Sequence, residues 1–255
     1  MKIASWNINS IKARLPNVLK WVDGAQPDIF FMQELKGVAE NFPVSEFEER
    51  GYSVQIKGQK TYNGVAIASK TPITLISDEI LEGDEQARYL EVEIDGTRMI
   101  NVYCPNGNPV QVDSEKYPYK LRWMRELVDH LRALKAQEIP FLIGGDFNII
   151  PRDIDCHDPK VWEGDALFRQ ESWDLWRELT NMGLYDAYRM VHSHEDDCYT
   201  FWDYQAGAWP QNKGIRIDHF LLTPEIADQL VDVSVDREPR GWEKASDHTP
   251  IIIEL

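Results

Sequence analysis

The stretch Phe141-Leu142-Ile143-Gly144-Gly145-Asp146-Phe147-Asn148 narrows what this chain can build. Three bulky apolar residues after Pro140 form a short run bounded by turn formers, which predicts a buried strand. Two glycines follow, and the expectation is a sharp turn that a Cβ would obstruct. Beyond them a carboxylate and a carboxamide stand two positions apart, and in an alternating chain both side chains face one way. The end of a strand in a rigid sheet is a common place for catalytic groups. Gly-Asp-x-Asn alone reads equally well as an Asx turn closing a strand, so the rest of the chain must decide.

The 255 residues show no Pro/Gly/Ser-rich linker, no repeat and no break in composition, and one domain over 1–255 is expected. Met1 to Asn7 lacks the apolar stretch of a signal peptide, and no apolar run has the length of a membrane span. Cys104, Cys156 and Cys198 are odd in number, widely spaced and without a C-x-x-C pair, which fits reduced thiols in a cytoplasmic protein. His192-x-His194 has no further Cys or His nearby and reads as a solvated loop.

The net charge of −16, from 27 basic and 43 acidic residues, argues at first against a polyanionic partner. Its distribution softens that. Residues 1–75 carry nine basic and seven acidic side chains, so the surplus of acid lies entirely beyond them. Within a screening length of about 8–10 Å, local fields outweigh the global sum. A nucleic acid bound by such a chain is expected to show weak non-specific affinity and steep salt dependence.

In chain order, Lys2 to Trp6 reads as a strand, and Ser10 as the cap of a helix bearing Ile11, Leu15, Val18, Leu19 and Val22 on one face. Pro27 to Glu34 is a second strand, apolar until it meets a glutamate that either reaches solvent or faces a cation. Asn63-Gly64 turns into the strand Val65 to Ser69, and Asp78 to Glu85 is a solvated acidic loop. Tyr89 to Ile94, Asp95-Gly96 and Arg98 to Tyr103 form a hairpin. A helix is expected from Lys116 to Gln137, with Lys116, Lys120 and Arg122 either ordinary surface charges, the default, or phosphate contacts. A second runs from Glu171 to Met182, stopped by Gly183. Tyr199 to Trp202, Arg216 to Leu222 and Ile251 to Leu255 are the last strands. Strands and helices in irregular alternation, with one clear hairpin, predict an α/β fold of mixed sheets covered by helices.

Polar groups thus gather at predicted strand ends: Asn7, Glu34, Tyr103, Asn106, Asp146, Asn148, Asp218, Asp247 and His248. Each alone could be a turn residue or a surface acid. Together they can converge on one rim, where Glu34 and Asp247 suit a hard cation such as magnesium or manganese. Asp218 beside a histidine would fix its tautomer and stabilise its charged form. No cysteine or serine has the base partner that an activated nucleophile needs. The chemistry implied is metal-assisted attack of water on an oxygen-rich centre, and a phosphodiester fits best.

The ordered set Trp6-Asn7-Ile8-Asn9, Gln33-Glu34-Leu35-Lys36, Asn63-Gly64-Val65-Ala66-Ile67, Tyr103-Cys104-Pro105-Asn106-Gly107, Gly145-Asp146-Phe147-Asn148, Arg216-Ile217-Asp218-His219 and Ser246-Asp247-His248 resembles the exonuclease III family of abasic-site endonucleases. The likeness runs over nearly the whole chain. It implies the DNase I-like four-layered α/β sandwich, two mixed sheets face to face, and a Mg²⁺- or Mn²⁺-dependent DNA-repair nuclease. The reactions implied are cleavage of the phosphodiester 5′ to abasic sites in double-stranded DNA and trimming of 3′ ends. Carried over by position, Glu34 would be the principal metal ligand, with Asn7 and Asp247. Asp146 would deprotonate the attacking water, Asn148 would hold water or phosphate, and His248 with Asp218 would stabilise the developing oxyanion. Tyr103 and Asn106 would contact the scissile phosphate. In a two-metal arrangement Asp146, Asn148 and His248 would hold the second ion. Phe201, Ile215 and Ile217, with Trp202 next to them, match the pocket for a base-less sugar, and Arg88 a contact to the DNA backbone. An aliphatic Ile215 resembles the bacterial exonuclease branch and leaves the division between abasic incision and 3′ trimming open. A cytoplasmic monomer, nucleoid-associated through its substrate, is expected. An inositol-phosphate phosphatase or sphingomyelinase of the same superfamily, or an inert DNA-binding module, is the alternative.

Overall fold

Strands buried on both faces should read as apolar runs, and residues 29–32, 65–68 and 141–143 do. In the computed structural model, which describes residues 1–194 and 198–255, β1 (Lys2–Asn7), β2 (Ile29–Gln33), β3 (Ser53–Lys57) and β4 (Val65–Ser69) open the chain. β5 (Thr74–Ser77), β6 (Tyr89–Ile94), β7 (Thr97–Tyr103) and β8 (Phe141–Asp146) come next, then β9 (Tyr185–Asp186), β10 (Asp218–Leu222), β11 (Asp232–Val235) and β12 (Ile251–Glu254). They form two six-stranded mixed sheets, in the orders β11-β12-β1-β2-β4-β3 and β5-β6-β7-β8-β10-β9. The helices are α1 (Ile11–Ala25), α2 (Val44–Glu48), α3 (Lys116–Ala136), α4 (Gln170–Asn181), α5 (Ala187–Val191) and α6 (Pro224–Ala227).

Alternation along the strands builds the layers. Ile3, Ile29, Phe31, Val65 and Ile67 of one sheet pack against Leu90, Val92, Met99, Leu142 and Phe220 of the other. The opposite faces carry Trp6, Phe30 and Met32, covered by Val18, Trp21 and Val22 of α1. Ile100, Phe141 and Ile143 are covered by Trp123, Leu127 and Leu131 of α3 with Leu175 and Leu179 of α4. Helix, sheet, sheet and helix make the four-layered sandwich. Between the sheets one polar bridge recurs: Asn101 Nδ2 donates to the carbonyls of Met32 and Ala66, at 3.0 and 2.8 Å, and Gln33 Nε2 donates to Asn101 Oδ1 at 2.7 Å. Such bonds, worth about 1 kcal/mol each, fix one sheet's register over the other.

The hairpin turns through Asp95 and Gly96 at φ 49° and 74°, the left-handed pair that a two-residue turn requires. Three expectations are corrected. Gly144 and Gly145 do not turn the chain but lie inside β8. A Cβ on Gly144 would sit 2.3 Å from a Phe220 ring carbon, and one on Gly145 2.0 Å from the Val102 carbonyl oxygen, so close packing selects both glycines. Tyr199 to Trp202 forms no strand; only Phe201 bridges, to Ile215 and His248. The regular part of the Arg216–Leu222 segment begins at Asp218.

Candidate active site

The register of the sheets explains the gathering of polar groups. Asp146 closes β8 and pairs across with Tyr103 of β7 on one side and Asp218 of β10 on the other. In the facing sheet Asn7 ends β1 opposite Gln33 of β2, and Glu34 follows at φ 54°. Ser246 Oγ ties the last segment in by donating to the Asn7 carbonyl at 2.7 Å, which brings Asp247 and His248 to the same end.

There Glu34, Asp146 and His248 each present one ligand atom, all within 4.8 Å of one another. Asn7 Nδ2 donates to Glu34 Oε1 at 2.9 Å and to Asp146 Oδ2 at 3.0 Å, while its Oδ1 accepts from the Asn9 backbone N–H at 3.1 Å. That departs from the expected ligand role, because Asn7 turns its donor, not its oxygen, toward the carboxylates. Tyr103 Oη donates to Glu34 Oε1 at 2.8 Å, and Lys36 Nζ pairs with Glu34 Oε2 at 2.7 Å. Despite burial, Lys36, the Asn7 amide and His248 hold the Glu34 carboxyl below its ordinary value. Burial, with Glu34 and Asp146 nearby, pushes the Tyr103 phenol well up, so it stays protonated.

Asp218 Oδ2 accepts from His248 Nδ1 at 2.8 Å, and the other ring nitrogen faces Asp146 Oδ2 at 3.7 Å. Burial opposes charge on His248, but the carboxylates of Asp218 and Asp146 outweigh it and raise the imidazole. For Asp146 burial wins over the pull of His248, and the carboxyl is raised above the usual carboxylate range. Two neighbouring carboxylates, one of them destabilised by burial, fit a hard divalent cation bound through oxygen, and the imidazole can join them only by giving up its Nε2 proton, since Nδ1 faces Asp218. Asp247 lines the same cleft but its Oδ1 accepts from Asn9 Nδ2 at 3.0 Å.

The pair Asp146 and Asn148 is not aligned by strand alternation. Asn148 takes φ 50°, and its backbone N–H donates to Asp146 Oδ1 at 2.9 Å, so the Asx turn and the functional pair are one feature. Asn148 Oδ1 accepts from Asn106 Nδ2 at 3.0 Å and its own amide donates to the Cys104 carbonyl at 2.9 Å.

These groups line a cleft of about 320 Å³ whose apolar wall is Phe201, Ile215, Ile217, Leu167 and Trp162. Phe201 packs edge-on against His248, ring centres 4.9 Å apart. Thr200 sets this wall, its hydroxyl accepting from the N–H groups of Ile217 and Asp218 at 3.2 and 3.1 Å. Arg88 stands just outside, stacked over the Tyr103 ring at 4.8 Å and donating to Gln86 Oε1 and the Tyr103 carbonyl. Trp202 does not join: it is 0% exposed, packed with Tyr199, Ala208 and Trp209. An extended reading of Tyr199 to Trp202 already puts neighbouring side chains on opposite sides, but composition did not say which of Phe201 and Trp202 faces the cleft.

Sequence reasoning also missed Lys36, Thr200, Leu167 and Trp162. Only Lys36 carried a signal, as the basic residue two positions after the buried-run glutamate.

Comparison with known proteins agrees with this geometry. The model of the endonuclease/exonuclease/phosphatase family matches residues 4–248. Exodeoxyribonuclease III of Haemophilus influenzae is 33% identical over 267 residues, with 100% of both chains covered. An AP endonuclease from Archaeoglobus fulgidus superposes with a TM-score of 0.94 at 36% identity, over 100% of this chain and 99% of that one. The 3′–5′ exonuclease NExo from Neisseria meningitidis superposes with a TM-score of 0.94 at 38% identity and the same coverage. This chain belongs to the endonuclease/exonuclease/phosphatase family.

Proposed function

We propose that residues 1–255 form one catalytic domain of a divalent-metal-dependent DNA-repair nuclease of the exonuclease III type. It hydrolyses the phosphodiester 5′ to abasic sites in double-stranded DNA and trims 3′ ends, leaving a 3′-hydroxyl. The observation that carries this reading is the meeting of Glu34, Asp146 and His248 within 4.8 Å at the mouth of a cleft with one apolar wall. Full-length likeness to an exodeoxyribonuclease III, an AP endonuclease and a 3′–5′ exonuclease supports it. The protein acts as a monomer in the cytoplasm, on DNA at the nucleoid. Among the described residues no helix is long and apolar enough to cross a membrane.

Glu34, beside Asp146, would hold the cofactor, Mg²⁺ or Mn²⁺, as a single ion; in a two-ion arrangement Asp146, Asn148 and a deprotonated His248 would hold the second, in place of the histidine's role toward phosphate. When bound, it supplies positive charge against that which builds on the phosphate oxygens. Asp146, raised by burial, is a better proton acceptor than an ordinary carboxylate and takes the proton of the attacking water. Asn148 orients that water from an amide already fixed by Asn106 and the Cys104 carbonyl. His248, kept charged by Asp218 and Asp146, donates to a non-bridging oxygen. Tyr103, kept protonated, hands a proton to the departing oxygen, and Asn106 grips the phosphate. Arg88 holds the adjoining backbone. Phe201, Ile215 and Ile217 accept a sugar without its base, where an intact flipped nucleotide would clash.

The test is a labelled duplex with a central abasic analogue beside an intact 3′-recessed duplex, each with Mg²⁺, Mn²⁺ or a chelator. Metal-dependent incision 5′ to the lesion and shortening of the recessed strand are expected. Cleavage of neither, with release of phosphate from inositol phosphates, would move the chain to another branch of its family.

A further inference from the structure

Lys120, in the second turn of α3, is 0% exposed, against the expectation of a surface charge. A buried ammonium is costly unless it is paired, and among the described residues no carboxylate lies within ion-pair distance of it. It donates instead to three backbone carbonyls: Asn106 at 3.1 Å, Asn148 at 2.6 Å and Ala166 at 3.2 Å. Three acceptors match the three N–H donors of an ammonium, one more than a neutral amine offers. An apolar side chain of similar volume would fill the space without the cost of burying a charge, so packing alone does not account for a lysine here.

The three carbonyls belong to three separate segments that meet at the cleft. Asn106 lies in the loop after β7, Asn148 in the loop after β8, and Ala166 begins the 3₁₀ turn whose Leu167 lines the apolar wall. The amides of Asn106 and Asn148 bond each other at 3.0 Å, so both members of that pair have their backbones anchored on one nitrogen. Asn148 sits at φ 50°, a left-handed conformation that asparagine tolerates better than most residues and that turns its carbonyl toward Lys120. The Lys120 contact to its carbonyl is the shortest of the three.

We propose that Lys120 is a positioning residue for phosphodiester hydrolysis. Its ammonium locks the Asn106 and Asn148 backbones and one side of the sugar pocket, so the two amides meet phosphate and water in a single geometry. This rests on the nuclease reading above, since the rate it sets is that of DNA cleavage.

Lys120→Met keeps the length of the side chain and removes its donors. On the duplex that the wild type cleaves, kcat should fall about 100-fold, the loss that a displacement of about 1 Å can cause. KM should stay within about threefold. In a cycle with Asn148→Ala the double variant should be barely slower than the slower single one, because both changes act through the same amide. Independently of turnover, the side-chain amide resonances of Asn106 and Asn148 should move in Lys120→Met while those of Asn17 and Asn181 stay. Multiplicative rate losses, kcat within about twofold of wild type, or unmoved amide signals would overturn the proposal. If Lys120→Met does not fold, Lys120→Gln is read in the same cycle, and failure of both to fold makes Lys120 a structural residue only. A wild type inactive on DNA counts against the nuclease reading, and the amide resonances then decide the part of Lys120.

Discussion

Arg216 and Asp218 stand two positions apart and serve two clusters of buried charge built on opposite terms. On one side Arg216 Nε donates to Asp155 Oδ1 at 2.7 Å and its Nη2 to Asp186 Oδ2 at 2.8 Å, and Arg189 also pairs with Asp155. Burial would raise both acids, yet Arg216 holds Asp186 below the usual range and, with Arg189, Asp155 at about 2. On the other side Asp218 backs His248, and Asp146 has amide, backbone and imidazole neighbours but, among the described residues, no guanidinium; there burial prevails and the carboxyl is raised. Acids that hold the fold are matched by the chain's own cations. At the cleft Glu34 has Lys36 and Asp218 has His248, but Asp146 is left short of positive charge, which makes a divalent ion welcome there.

The largest effect is expected at the under-matched side. Asp146→Asn should lower incision by at least about 10³-fold, the range lost with a general base, while duplex affinity measured by gel shift changes little. Its thermal midpoint should equal or exceed that of the wild type, since a carboxylate disfavoured by burial is removed. A drop of several degrees would break the contrast between the clusters. Glu34→Ala should raise the Mg²⁺ concentration for half-maximal rate by about tenfold or more. An unmoved requirement in a metal titration would leave the rim without its ligand.

Asp155→Asn should cost about 3–5 kcal/mol in urea unfolding, because two buried guanidiniums lose their shared acceptor. Cleavage per folded molecule should remain within about threefold of wild type. The smallest effect sharpens the same point with pH. The folded-state pKa of Asp155 is depressed, so its stabilisation is complete above the ordinary carboxylate value near ~4 and is lost as pH falls toward about 2. Urea unfolding at successive pH values in that window should show a slope that Asp155→Asn flattens and Asp146→Asn leaves intact.

What could be read from the residues was whatever is local or periodic. Apolar runs located most of the strands of the two cores, Asp95-Gly96 fixed the hairpin, and polar residues at strand ends pointed to one rim. What stayed hidden depends on partners distant in sequence. Nothing around Gly144 announces that Phe220 lies against it, and nothing around Lys120 announces three carbonyls converging on its nitrogen. Phe201 and Trp202 look alike as neighbours, but one faces the cleft and the other the core. Asn7 was correctly brought to the carboxylates, yet which end of its amide points at them follows from the Asn9 N–H on its oxygen. Short edge strands such as β9, two residues long, have no pattern to read.

In the first sheet β12 lies between β11 and β1, so the last strand of the chain fills an interior place beside the first. Residues 246–248, just ahead of it, are the final pieces of the cleft. A polypeptide emerging from the ribosome therefore carries Glu34 and Asp146 before His248 exists, and the sheet that positions Glu34 has a gap between β11 and β1 until β12 follows. The site thus waits on one strand, and its histidine is fixed only when β12 enters the sheet between β11 and β1.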